Sequence, residues 1–180
     1  MKVLLDACVL YPTVMREMLL GVAKQGLFQP LWSARILEEW ARAARKLGPE
    51  GEAQARGEIA LSGAGFPKAE VPPAPGIQAR LYLPDENDTH VLAAAIAGSA
   101  DVLLTMNAKD FPQNILGEEG LTRRDPDGFL WQLHSEHPEA VAKVAKDIHQ
   151  TAQALSGHPW EMRKLMKKAR LPRLGKALTD

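Results

Sequence analysis

Short apolar runs that stop abruptly at a polar residue recur along the first two thirds of the chain. Val3, Leu4 and Leu5 run into Asp6, residues 27–32 run into Ser33, and Val102, Leu103 and Leu104 run into Thr105. Runs of this length without alternation predict strands covered on both faces, as in a parallel sheet wrapped by helices. Helical patterns lie between them over residues 14–24, 34–46, 50–61 and 89–97, the last stopped by Gly98. Alternation of strand and helix predicts a layered α/β domain. Residues 63–76 hold four prolines and three glycines, which predicts an irregular connection over the surface. Gly120-Leu121-Thr122 offers a last strand. Residues 126–134, 138–155 and 159–169 each open with a proline and read as helices.

Composition narrows the class. A chain of 180 residues with 46% apolar and 24% charged residues is an ordinary globular domain plus a small appendage. The 22 basic and 22 acidic residues cancel, so any attraction for a polyanion must come from how charge is distributed. That distribution is uneven. Residues 158–178 hold seven Lys or Arg and one acid, Glu161, whereas residues 81–110 hold five acids and one Lys. The single cysteine, Cys8, makes no internal disulfide, and the opening residues lack a secretory pattern, so a reducing cytoplasm is expected. No apolar stretch approaches the roughly 20 residues that cross a bilayer, so no membrane span is expected.

Four carboxylates fall where an open α/β sheet presents the carboxyl ends of its strands, the edge at which ligands bind. Asp6 ends the first strand, Glu39 lies in the helix after the second, Asp88 starts a helix, and Asp110 follows residues 102–104. Each also has a plain structural role open to it: Asp6 and Asp110 as turn formers, Asp88 as a helix N-cap, Glu38 and Glu39 as a solvated helix face. Gathered in one crevice, the four would raise one another's pKa values unless a divalent cation compensated them. Oxygen ligands suit Mg²⁺ or Mn²⁺.

The segments MKVLLDACVLYP, LWSARILEEWARA and LPDENDTHVLAAAIAGSADVLLTMNAKDFP together resemble a PIN-domain protein, similar to the nucleases that serve as VapC-type toxins. The resemblance spans residues 1–130. It implies a three-layer α/β fold with a mostly parallel sheet and, here, a helical basic C-terminal extension over residues 131–180 packed on the same domain. It also implies that Asp6, Glu39, Asp88 and Asp110 are catalytic, that Asp6, Asp88 and Asp110 hold Mg²⁺ or Mn²⁺, and that Thr105 and Asn107 orient the site. Glu38 competes with Glu39, and Asp85 with Asp88. Register from Ser33 favours Glu39; the spacing of Val91 and Ala94 favours Asp88 and leaves Asp85 an electrostatic role. The family usually carries a small polar residue or Asn after the first acid, where this chain has Ala7-Cys8; the Cys8 thiol is a weak donor and reads as a small packed residue.

The implied activity is a metal-dependent endoribonuclease acting on single-stranded or structured RNA, leaving 3′-hydroxyl and 5′-phosphate ends. The implied setting is the toxin of a bacterial type II pair with a cognate antitoxin protein, and a homodimer is the common state of such relatives. The alternatives are an RNA-processing nuclease outside toxin systems, or a degenerate module that binds RNA or protein without cleaving. Other chemistries lack support. The second Asp of aspartyl-phosphate phosphatases and a glycine-rich phosphate loop are both missing after the first strand. The five histidines have no compact zinc spacing, so they read as surface or helix-face groups. In the tail, Trp160, Met162, Leu165 and Met166 interleave with six cations from Arg163 to Arg173, a seam fit either to face RNA or to dock on the domain.

Overall fold

The computed structural model describes residues 1–180, which divide into two compact units, residues 1–11 with 28–124 and residues 12–27 with 125–180. The first unit begins with β1 (Lys2–Leu5) and the single turn α1 (Ala7–Leu10); α2 (Thr13–Lys24) belongs to the second. The first unit resumes with β2 (Gln29–Ser33), α3 (Ala34–Ala43), α4 (Pro49–Gly65), β3 (Glu70–Val71) and α5 (Pro75–Arg80). It closes with α6 (Thr89–Ala97), β4 (Val102–Leu104), α7 (Gln113–Glu118) and β5 (Thr122–Arg124).

All five strands are parallel, in the order β3-β2-β1-β4-β5, with Val3 opposite Pro30 on one side and Val102 on the other. Parallel strands bury both faces, which is why β1 and β4 are unbroken apolar runs whose Leu4, Leu5, Leu103 and Leu104 are fully buried. Helix α6 contacts β1, β2 and β4, and its residues from Thr89 to Ala95 are all buried. Helix α3 is amphipathic: Ile36, Leu37, Trp40 and Ala41 are buried, and Ser33 caps it by accepting from the Ile36 N–H at 3.1 Å. The expected class, a mostly parallel sheet flanked by helices, is the one observed.

Several boundaries differ from the sequence pattern. The second strand starts at Gln29 instead of residue 27, and residues 63–76 contain a strand, β3, whose two residues pair with Trp32 and Ser33. A strand that short carries no periodicity to read. Gly98 does follow α6, yet its φ is −81° and the left-handed residue is Ser99 at φ 54°. Glycine is needed at 98 for space, since a Cβ there would lie 2.9 Å from both Leu31 and Val71.

The second unit is helical, joining α2 to α8 (Pro126–Glu136), α9 (Pro138–Ser156), α10 (Met162–Lys168) and α11 (Pro172–Ala177). The helix expected over residues 159–169 is observed as α10 from Met162 to Lys168, and a further helix, α11, follows Arg170 at φ 62° and starts at Pro172. Buried Asp127 accepts the N–H groups of Arg173 and Leu174, each at 3.0 Å, and so caps α11. Leu165, Met166, Leu171 and Leu174 are buried, while all seven cations from Arg163 to Lys176 are exposed. No helix of the chain is long and apolar enough to cross a membrane.

Candidate active site

The strand order turns back at β1, with β2 and β3 added on one side and β4 and β5 on the other, so the crevice between the carboxyl ends of β1 and β4 is the switch point of the sheet. Asp6 sits there, its N–H donating to the Leu104 carbonyl at 3.1 Å. Asp6 Oδ1 accepts from the Ala7 N–H at 2.8 Å, and Oδ2 accepts from Thr105 Oγ1 at 2.8 Å and from the Cys8 thiol at 3.5 Å. With two lone pairs per carboxylate oxygen, Oδ1 keeps one free. Burial pushes the Asp6 carboxyl above its ordinary range; the bonds from Thr105, Ala7 and Cys8 oppose that, and Glu39 reinforces it.

Cys8 is more than packing. Its sulfur also accepts from the Met106 N–H at 3.4 Å and lies 3.4 Å from Thr105 Oγ1, so it ties the ends of β1 and β4 together. Burial and the neighbouring Asp6 carboxylate push the thiol up to about 11, which keeps it protonated and able to donate. The same elevation argues against Cys8 as a nucleophile.

Asp88 stands at the N-cap of α6 but makes no side-chain cap hydrogen bond. The local turn is secured by others: Asp85 Oδ1 accepts from the Asn87 N–H at 2.9 Å, and Thr89 Oγ1 donates to the Glu86 carbonyl at 2.7 Å. The Asp88 carboxylate is thereby left for another task. Asp110 is aimed by Asn107, whose Nδ2 donates to Asp110 Oδ2 at 2.9 Å and whose Oδ1 accepts from the Asp110 N–H at 3.3 Å. Asn107 is fixed in turn by its own N–H, which donates to Thr105 Oγ1 at 3.0 Å.

One oxygen each from Asp85, Asp88 and Asp110 lies within 4.8 Å of the others. Of three oxygens on one octahedral Mg²⁺ at most one pair is opposite, about 4.2 Å apart, and the other pairs are adjacent at about 3 Å, so the set would have to draw together to hold one hard cation. Electrostatics extends the group to five acids. Desolvation and then the charges of Asp6, Asp85, Asp110 and Glu39 push Asp88 up to about 6. Sequence reasoning treated Asp85 as a competitor of Asp88; the structure brings both together with Asp110.

Glu38 and Glu39 separate cleanly. Glu38 bonds Arg42 and Arg56 on the exposed surface of α3 and α4, whereas Glu39 Oε1 lies 2.6 Å from His90 Nε2. His90, read from sequence as a surface or helix-face group, is 7% exposed, and its Nδ1 has no hydrogen-bond partner. Its position two residues after Asp88, in a helix otherwise made of Val, Leu, Ile, Thr and Ala, was the available signal.

A switch-point crevice lined with carboxylates, polar groups that aim them and few cations suits binding of a divalent ion and hydrolysis of a phosphodiester. Comparison with curated proteins and with solved structures returns no match. The family model described as PIN domain matches residues 2–109, which takes in Asp6, Glu39, Asp85 and Asp88 and ends one residue before Asp110. PIN domains are generally nucleases that use divalent metals. With more than half its length matched, and with a parallel sheet flanked by helices as that fold requires, the chain belongs to the PIN-domain family.

Proposed function

We propose that this protein is a Mg²⁺- or Mn²⁺-dependent endoribonuclease acting on single-stranded or structured RNA. The observation that carries the reading is the crowding of Asp85, Asp88 and Asp110 within 4.8 Å at the sheet edge that also bears Asp6. Asp6, Asp88 and Asp110 would hold the cation, with Asp85 beside them. A bound divalent cation supplies neutralisation of the phosphodiester charge and acidifies water. Glu39 accepts the proton of the attacking water, and its contact with His90 holds it toward the acids. Water attacks phosphorus, the bond from phosphorus to the 3′ oxygen breaks, and that oxygen takes a proton from solvent water, so the products carry 3′-hydroxyl and 5′-phosphate ends. Thr105, Asn107 and Cys8 position the acids. The exposed cations of α10 and α11 offer phosphate contacts of their own.

In the cell the reading is the toxin of a type II pair, working in the cytoplasm as a homodimer and held in check by an antitoxin protein. Expression of the wild type alone is then expected to halt growth, and Asp110→Asn to restore it, with end-mapping of cellular RNA showing new 5′-phosphate termini. Normal growth with abundant soluble wild-type protein that still cleaves RNA in vitro would favour a processing nuclease; absence of cleavage would favour a binding module.

A further inference from the structure

A cavity of about 160 Å³ opens at the carboxyl ends of β2 and β3, between the starts of α3 and α5 and the flank of α6. Its walls are mainly apolar, with Pro72, Pro73, Ala93 and Ala94 among them, and His90, Arg35 and Gln78 supply polar groups. It stands on the same edge of the sheet as the acids, and His90 belongs to both places. The His90 ring lines the cavity while its Nε2 lies 2.6 Å from Glu39 Oε1. The side chain is 6% exposed, and neither ring nitrogen makes a hydrogen bond within the protein, although Nε2 lies at ion-pair distance from Glu39.

We propose that this cavity receives one base of the RNA strand next to the cleaved phosphodiester and so sets sequence preference; the proposal rests on the ribonuclease reading above. Size fits, since an apolar cavity of about 150 Å³ takes a benzene-sized ring. Proline and alanine walls suit the faces of a planar ring, and bases of single-stranded RNA can be splayed out to enter such a site. An apolar side chain from a protein partner would fill the same volume but offer nothing to the polar groups of Gln78 and Arg35. A base brings ring-edge donors and acceptors to both. The carboxamide of Gln78 and the guanidinium of Arg35 add the means to tell one base from another.

The test is sequencing of the ends released from a random single-stranded RNA pool with Mg²⁺ present. Wild type is expected to show a base preference at one position beside the cut. Ala93→Met, which fills the cavity, lowers that preference about 10-fold, the scale of one lost base contact, and leaves Mn²⁺ affinity unchanged. Gln78→Leu, at a half-buried position, shifts which base is preferred and serves where Ala93→Met does not fold. Folded, active variants with the wild-type preference overturn the proposal and leave the ribonuclease reading standing. Unchanged preference together with loss of a bound protein partner assigns the cavity to that partner and overturns the proposal as well. Wild-type protein that cleaves no RNA with either metal overturns both readings.

Discussion

Asp6 and Asp88 at the sheet edge and Glu38 and Glu52 on the α3–α4 surface are driven in opposite directions. Glu38 accepts from Arg56 and Arg42, Glu52 accepts from Arg45 and Arg56, and these guanidiniums hold both acids down at about 2. Asp88 meets only other acids and burial, which push it up to about 6. Glu38 and Glu39 are neighbours on one helix, yet Glu38 meets Arg56 and Glu39 meets His90, because successive positions of a helix point about 100° apart. The exposed network is complete in itself and screened by water. The edge is short of positive charge. Unmatched charge of one sign, held in place by neutral donors such as Thr105 and Asn107, distinguishes a site from a solvated surface.

The largest effect is expected from breaking the edge itself. Asp88→Asn or Asp110→Asn should lower RNA cleavage by on the order of 10²–10³-fold or more, the scale seen when one electrostatic contact to a transition state is lost. Glu38→Gln, on the matched side, should leave initial rates on labelled RNA unchanged. Equal losses from both would erase the distinction.

A smaller effect is expected at the other unmatched region, the basic tail. Replacing Lys164, Lys167, Lys168 and Arg170 by Gln removes four exposed cations, of which Lys164 is partly engaged by Glu161 at 3.2 Å and Lys168 by the Trp160 ring at 4.9 Å. Each phosphate contact to a single strand contributes about −0.7 to the log-log salt slope, so the slope should shrink by roughly two to three units. Binding, measured by salt titration with Asp110→Asn protein so that RNA survives, should weaken similarly across sequences. An unchanged slope would leave those cations as solvated surface.

The smallest effect concerns stability without metal. The Asp88 carboxyl has a higher pKa folded than its ordinary value of about 3.9, so between about pH 4 and pH 6 the folded state binds more protons than the unfolded state. Stability therefore falls as pH rises through that window, and the loss is complete at pH 7. Asp88→Asn should flatten this dependence and raise the melting temperature at pH 7 by about 2–4 °C. Added Mg²⁺ should stabilise the wild type more than the variant. A lowered melting temperature for metal-free Asp88→Asn would show that the acids are not crowded.

Much of this layout was legible in the sequence where structure and pattern share one cause. Strands β1 and β4 are apolar runs because both faces of a parallel sheet are covered, and α6 was plain from its alanine-rich run closed by Gly98. Strand β3 was hidden within the proline-rich stretch and helix α5 at its end, since two paired residues and a six-residue helix leave no period. Helix α11, beyond the stretch read as helical, follows a left-handed Arg170 that its side chain does not announce. At the site, Asp6, Glu39, Asp88 and Asp110 could be marked by their places after strands and on helices. The grouping of Asp85 with Asp88, and the pairing of His90 with Glu39, needed the three-residue turn before α6 and the packing of α6 in three dimensions.

The proposed activity requires that the edge acids act through a divalent cation. EDTA-treated protein incubated with single-stranded RNA while Mg²⁺ or Mn²⁺ is titrated back tests this directly. The wild type should be silent in EDTA and recover cleavage in a saturable way, and Asp88→Asn should stay silent over the same range. Cleavage that persists in excess EDTA, or recovery by Asp88→Asn equal to that of the wild type, would contradict it.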